Sequence, residues 1–310
     1  MTPIRGVGGV LGAVAVCVAV SGCGSVASTP TSSTPAVGDS PVAGWLPTAP
    51  ASEPTASAAL LSAGQLAEFQ ERFGQTVTLA VVPLDGGAAT STPETGSTYA
   101  WSTAKPLIIA RLLADVGGPS GLTPQQRQLI AASLSYSDNE AAAELHRQLV
   151  AKYGSVQGAA DAMGALLARA GDTETEVSTV GRSTYSTYGQ TRWSATAQAE
   201  FMAALARGCV LEPVATQFLL GEMGQVDPSQ RWGLGTIDAV AFKGGWGPDP
   251  DGAYLVRQMG LVTAPNGNQY AVAIIAHPAS GSFEGGQELT SAAAAWLAEN
   301  VTTAPAATAC

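Results

Sequence analysis

Two apolar, β-branched runs near the C-terminus constrain the fold more than any other feature of the sequence. Residues 254–263 (Y-L-V-R-Q-M-G-L-V-T) and 269–277 (Q-Y-A-V-A-I-I-A-H) flank A-P-N-G at 264–267. An Asn-Gly pair between strand-like runs is a strong hairpin signal, because both residues tolerate the positive φ of a tight turn. A third strand is read at 239–245 (A-V-A-F-K-G-G) and a fourth at 76–84 (T-V-T-L-A-V-V-P-L), stopped by Asp85-Gly86-Gly87. Residues 60–73 carry apolar side chains at helical spacing. Helices are also expected at 102–115, 123–134, 138–152, 156–170, 195–207 and 286–300. The order is helix, strands, many helices, strands, helix. That order predicts an α+β fold: a mostly antiparallel sheet flanked by the N- and C-terminal helices, with a helical subdomain inserted.

The globular pattern spans 58–301, and what precedes it differs in kind. Met1-Thr2-Pro3-Ile4-Arg5 and an apolar run over 6–20 end at Ser21-Gly22-Cys23. The run is short for a bilayer span and ends on small residues, so 1–23 reads as a secretory signal. Val20-Ser21-Gly22-Cys23 resembles a bacterial lipobox, which implies lipidation of Cys23 and an extracytoplasmic protein held at the cell membrane. Residues 24–57 are almost wholly Ser, Thr, Pro, Ala, Gly and Val, with Asp39 and Glu53 the only charges. This reads as a disordered tether with a reach of roughly 30 Å or more. Residues 302–310 form a short tail ending in Cys310.

Cys17 leaves with the signal and Cys23 takes the lipid, so Cys209 and Cys310 remain in an oxidising compartment and are expected to pair. The alternative is two free thiols. The chain carries 24 acidic and 14 basic residues and no basic run, which argues against a nucleic-acid partner. No His/Cys/Asp cluster has metal-ligand spacing and there is no phosphate loop, so neither metal nor cofactor is expected. His146 is expected on a helix surface and His277 at a strand end. With only these two histidines and no G-x-S-x-G, a Ser-His-Asp triad does not fit.

The chemistry is expected at the lysines. There are three, Lys105, Lys152 and Lys243, in a chain that uses arginine freely. Lys105 follows Ser102 by three positions, one turn of a helix. A neutral Lys105 amine could take the serine proton, but holding a lysine neutral near pH 7 costs about 4.6 kcal/mol relative to water. Burial or a second cation supplies that, and Lys243 is a candidate. Ser137-Asp138-Asn139 opens a helix, and Lys243-Gly244-Gly245 ends a strand.

Together S-x-x-K, S-D-N and K-x-G stand in the order used by serine β-lactamases and penicillin-binding DD-peptidases. The chain resembles that superfamily, nearest the class A β-lactamases, over about 58–301. The resemblance implies that Ser102 is the acylated nucleophile and Lys105 its base. Ser137 would relay a proton to the leaving nitrogen. Asn139 would hold the substrate amide and help fix Lys105, and Lys243 would draw in a substrate carboxylate. The N–H groups of Ser102 and Trp246 would form the oxyanion hole. Gly244 and Gly245 complete the substrate-binding strand.

The sequence departs from that family at informative places. Class A enzymes carry E-x-x-L-N after a T-x-L segment, and its glutamate activates the deacylating water. Here the segment is Thr175-Glu176-Val177, and an ungapped count puts Gly181 at the glutamate and Tyr185 at the asparagine. Thr179 and Ser194 fall where an Arg and an Asp usually clamp the loop; Glu174 and Glu176 lie too early. Gly244 stands where the family has a threonine hydroxyl, and Trp246 replaces a small residue, its ring aimed at the site by strand alternation. Only 35 positions separate Ser102 from Ser137, so the helical part has lost an element. The expected function is a membrane-anchored, β-lactamase-like serine acyl hydrolase or transferase of the cell envelope, acting on a small-molecule or peptidoglycan-like acyl substrate with weak or no β-lactam turnover. The alternative is an inert binding or structural lipoprotein of the same fold.

Overall fold

The computed structural model describes residues 59–94 and 96–310; the signal segment, Cys23 and the tether lie outside them. Helix α1 (Ala63–Phe73) starts at a capping box, in which Ser62 Oγ accepts from Gln65 N and the Gln65 side chain accepts from Ser62 N. Strand β1 (Val77–Pro83) follows, then the two-residue strands β2 (Thr90–Ser91) and β3 (Thr98–Tyr99). A 3-10 turn over Trp101–Ala104 leads directly into α2 (Lys105–Val116). The helical part continues with α3 (Pro124–Ser135), α4 (Asn139–Tyr153) and α5 (Val156–Arg169). Strand β4 (Arg192–Trp193) precedes α6 (Ala195–Ala206) and α7 (Pro213–Gly224). The chain closes with β5 (Ala239–Pro248), β6 (Tyr254–Thr263), β7 (Gln269–Ala276) and α8 (Phe283–Asn300).

The main sheet has the order β2-β1-β7-β6-β5 and is antiparallel throughout. The hairpin signal falls between β6 and β7, whose register runs from Val256 opposite Ala276 to Thr263 opposite Gln269. Gly267 takes the left-handed conformation the turn needs, at φ +84°.

Both faces of the sheet are buried, which explains strands that read as nearly continuous apolar runs. One face carries Leu79, Val81, Val272 and Ile274 against Phe69 of α1 and Trp296 of α8, whose rings lie 4.9 Å apart edge to face. The other carries Ala80, Val82, Ala273 and Ile275 against α6 and, beyond it, the helical part. This is the expected α+β arrangement.

Several boundaries and one element differ from expectation. The helix expected from 102 begins at Lys105, because Trp101 sits at φ +50° and the next residues wind as a 3-10 turn. The last helix begins earlier than expected, at Phe283, capped by Ser282. Helix α7 was not expected: P-V-A-T-Q-F-L-L-G-E-M-G has no clear polar stripe. His146 is buried against Tyr188, 5.0 Å between ring centres, not on a surface, whereas His277 directly follows β7.

Cys209 and Cys310 form a disulfide with Cα atoms 5.3 Å apart. The tail is tied down along its length: Thr308 N donates to Leu84 O at 2.8 Å, and Arg207 Nε donates to Thr308 O at 3.0 Å. Among the described residues no helix is long and apolar enough to cross a membrane.

Candidate active site

The turn that carries Ser102 is wedged between the sheet edge and the helical part. Trp101 adopts a positive φ, costly for a bulky residue and maintained only where the surroundings fix it. Its indole lies flat against Gly247, where any side chain would collide with the ring. Strand β5 passes so close that a Cβ on Gly245 would sit 2.9 Å from both Ala100 O and Ser102 N. Glycine is required there, and the contact brings the β5 backbone to the amide of Ser102.

A buried arginine supports the same turn from below. Arg257, on β6, lies opposite Gly245 and is fully buried. It donates to Thr98 O (3.1 Å), Tyr99 O (3.0 Å), Trp193 O (2.9 Å) and Gln198 Oε1 (3.2 Å). Gln198 in turn donates to Thr103 Oγ1 at 2.7 Å. Burial lowers the Arg257 pKa to about 9, with the Glu94 charge opposing it. Arg257 is not among the residues expected at the site, although a lone charge inside an apolar strand is its signal in the sequence.

The two lysines meet at Ser137. Asp138 caps α4 by accepting from Ala141 N at 2.9 Å, and Ser137 precedes it at φ +60°. That geometry turns the Ser137 hydroxyl between the lysines. It accepts from Lys243 Nζ at 2.8 Å and from Lys105 Nζ at 3.3 Å. Lys105 Nζ also donates to Ser137 O (2.6 Å), Asp138 O (3.2 Å) and Asn139 Oδ1 (2.9 Å). Lys243 Nζ donates to Gly244 O at 2.8 Å.

Lys105 is 1 % exposed, and burial lowers its pKa from 10.5 to about 7, against the opposing charge of Asp138. Lys243 is driven well below its usual value, first by burial and then by repulsion from Lys105. Ser102 is half-buried, and its Oγ makes no hydrogen bond among the described residues.

Above these groups lies a cavity of about 400 Å³ with Ser102, Lys105, Ser137 and Asn139 on its floor. Lys243, expected to meet a substrate, is 2 % exposed, and its nitrogen lies one hydrogen bond behind the Ser137 hydroxyl. Trp246 forms part of the wall, its ring resting 4.9 Å from Phe283 at the start of α8, so the groove stays open. Gly244 faces the indole of Trp232, and a Cβ there would lie 2.9 Å from that ring. The missing threonine hydroxyl is therefore linked to a tryptophan that occupies its space.

The opposite wall comes from the segment after α5. Thr184, Tyr185, Ser186, Tyr188 and Gly189 line the cavity, whereas Gly181 is exposed and does not. Glu174 and Glu176 line a separate cleft with Asp161 and Arg192. Thr179 lines that cleft as well, and Ser194 caps α6. Among the described residues the one carboxylate on the groove wall is Glu140, from the first turn of α4. Arg182 holds the segment in place. Its guanidinium lies 5.0–5.5 Å from the ring centres of Tyr99, Trp101 and Tyr185, and it donates to Pro248 O and to Gln190 Oε1. Among the described residues no group of His, Cys, Asp or Glu could hold a metal.

A lysine pair sharing one serine hydroxyl beneath a second serine, at the junction of an antiparallel sheet and a helical part, is the arrangement of the serine β-lactamase and penicillin-binding superfamily. A sequence model of the β-lactamase enzyme family matches residues 116–301, and the chain belongs to that family. The match begins beyond Ser102 and Lys105, so their placement rests on the geometry above.

Solved structures share the fold at low identity. The TLA-3 extended-spectrum β-lactamase is 15 % identical with a TM-score of 0.61, covering 77 % of this chain and 98 % of its own. PBP-A is 18 % identical with a TM-score of 0.58, over 76 % and 95 %. The chromosome-encoded β-lactamase of Vibrio parahaemolyticus is 13 % identical with a TM-score of 0.59, over 76 % and 97 %. No curated protein matches the sequence.

Proposed function

We propose that this chain is a membrane-tethered serine acyl hydrolase or transferase of the cell envelope, anchored through a lipid on Cys23, that forms an acyl-serine and deacylates poorly. The observation that carries the reading is the Ser137 hydroxyl held at 2.8 and 3.3 Å by two buried lysines under a groove floored by Ser102.

In this mechanism neutral Lys105 takes the proton of Ser102 Oγ as Oγ adds to the acyl carbonyl. The N–H groups of Ser102 and Trp246 stabilise the oxyanion. The proton passes from Lys105 through Ser137 to the leaving group as the scissile bond breaks. Lys243 orients Ser137 and lowers the cost of that transfer. The acyl-enzyme is then long-lived, because the loop residues facing the groove supply hydroxyls and rings but no carboxylate to activate water.

A fluorophosphonate probe with an intact-mass readout tests the reading. One adduct per chain is expected, absent in Ser102→Ala. No adduct on the wild-type chain would instead favour an inert module of the same fold. With a penicillin, a slow and persistent adduct is expected, and rapid multiple turnover would refute the poor-deacylation half.

A further inference from the structure

We propose that the groove selects acyl donors without a free carboxylate: neutral esters or amides, and best of all donors bearing a quaternary or primary ammonium group. This deepens the acyl-serine reading and rests on it.

The positive charges near Ser102 point away from the cavity or are already engaged. Lys243 is 2 % exposed, and its ammonium is engaged by Ser137 Oγ and Gly244 O. Arg257 is fully buried and directed at the carbonyls of Thr98, Tyr99 and Trp193. Arg182 is turned towards Pro248 O and Gln190 and does not line the cavity. Lys105 does line it, but it must be neutral to accept the serine proton, and its nitrogen is ringed by acceptors at Ser137, Asp138 and Asn139. The hydroxyl that could bind a carboxylate is absent at Gly244, and the Trp232 indole fills that space.

The walls that do face a substrate have the opposite character. Glu140 presents a carboxylate. Tyr188, Trp246 and Tyr254 present rings over which no cation of the chain lies among the described residues, whereas Trp101 and Tyr185 already carry the Arg182 guanidinium. Aromatic faces attract cations through their quadrupole, and a nearby carboxylate adds to that attraction. An anionic donor entering here gives up hydration beside Glu140 and gains no unoccupied cation in return. The net charge of −10 opposes its approach as well.

The reaction is ordinary acyl transfer. The Ser102 Oγ–carbonyl carbon bond forms and the ester C–O bond breaks, with its electron pair leaving on the alkoxide. The serine proton passes to Lys105 and then to the departing oxygen. Water later cleaves the acyl-serine bond, releasing the acid and returning a proton to Ser102.

The test uses three nitrophenyl esters of similar acyl length: the butyrate (neutral), the hemisuccinate (anionic) and the 4-(trimethylammonio)butyrate (cationic). Acylation rate constants are read from the nitrophenolate burst, and intact mass verifies the adduct on Ser102. After correction for intrinsic hydrolysis rates, the expected order is cationic, then neutral, then anionic, with the anionic ester roughly tenfold below the neutral one. Glu140→Gln should narrow the cationic-to-anionic ratio by roughly threefold, and raising the salt concentration should narrow it in the wild type. An anionic ester that reacts as fast as the neutral one overturns the proposal, as does a ratio unmoved in Glu140→Gln. If the fluorophosphonate also fails to label Ser102, the acyl-serine reading itself falls and takes this inference with it. Labelling with no charge preference removes the inference alone.

Discussion

The two walls of the groove differ in how they are held and in what they offer a substrate. Between α2, α4 and β5 the lysines are buried, and their nitrogens bond to Ser137, Asp138, Asn139 and Gly244. Across the cavity, the segment from Ser178 to Gln190 is exposed at Val180, Gly181 and Ser183 to Tyr185 and buried only from Tyr188 onward, and the Arg182 guanidinium among three rings ties down its exposed part. The first wall contains what proton transfer from a serine needs. The second carries no acid where a water would be activated. In the proposed mechanism acylation and deacylation draw on different walls, so one half-reaction could be retained while the other is lost.

The largest expected effect breaks the first wall. Lys105→Met should slow fluorophosphonate labelling of Ser102 by roughly 10²- to 10⁴-fold, the usual contribution of a positioned base. A loss under tenfold would mean that the base lies elsewhere. In the wild type the labelling rate should rise through pH 7 and level off above it, because the Lys105 pKa is lowered to about 7 and the neutral amine is the active form.

The same group links pH to stability. Between about pH 7 and 10.5 the unfolded chain holds a proton on Lys105 that the folded chain has released. The Lys105 contribution to stability therefore grows as pH rises through that window, and is complete above 10.5. The difference in unfolding free energy between wild type and Lys105→Met, measured across it, should shift in favour of the wild type with increasing pH. A flat difference would contradict the buried, neutral lysine.

The disulfide offers a way to separate global stability from the site. It closes a span of 101 residues, for which chain-entropy reasoning gives up to about 4.7 kcal/mol. Replacing Cys209 and Cys310 together by Ser should lower Tm by roughly 5–15 °C. Labelling of Ser102 at 25 °C should change less than about twofold, since neither cysteine lines the groove. A parallel fall in labelling would show that the floor depends on the tethered tail.

What was legible in the sequence follows the same division between local and non-local causes. The hairpin at Asn266-Gly267, the buried strands and the amphipathic helices leave periodic or turn-specific traces over a few residues, and the α+β order follows from them. The short motifs containing Ser102, Ser137 and Lys243 are equally local, and the structure gathers their side chains at one place. Helix α7 left no periodic trace, because it is apolar over most of its surface. The two-residue strands β2, β3 and β4 are too short to show alternation. Ser102 was expected on the α-helix; the preceding residue's positive φ, set by the packing of Trp101 on Gly247, decides otherwise. The burial of Lys243, and the roles of Arg257 and Arg182, depend on partners far away in the sequence as well as near ones, such as Ser137 for Lys243, Thr98 for Arg257 and Pro248 for Arg182.

Arg182 supplies the smallest effect and the sharpest test of the comparison. Replacing it with Met keeps a chain of similar length but removes the charge above Tyr99, Trp101 and Tyr185 and the bonds to Gln190 and Pro248 O. Half-exposed cation–π contacts and hydrogen bonds of this kind sum to about 1–2 kcal/mol. If the second wall opens independently of the first, that energy is lost locally. Limited proteolysis between Ser178 and Gln190 should accelerate roughly 5- to 30-fold, while the global Tm moves by no more than a few degrees. Fluorophosphonate labelling of Ser102 should remain within about threefold of wild type, because the lysine wall is untouched. If Tm falls steeply and labelling falls with it, the aromatic cage is part of the frame that holds Trp101 and Ser102. The two walls would then be one cooperative unit.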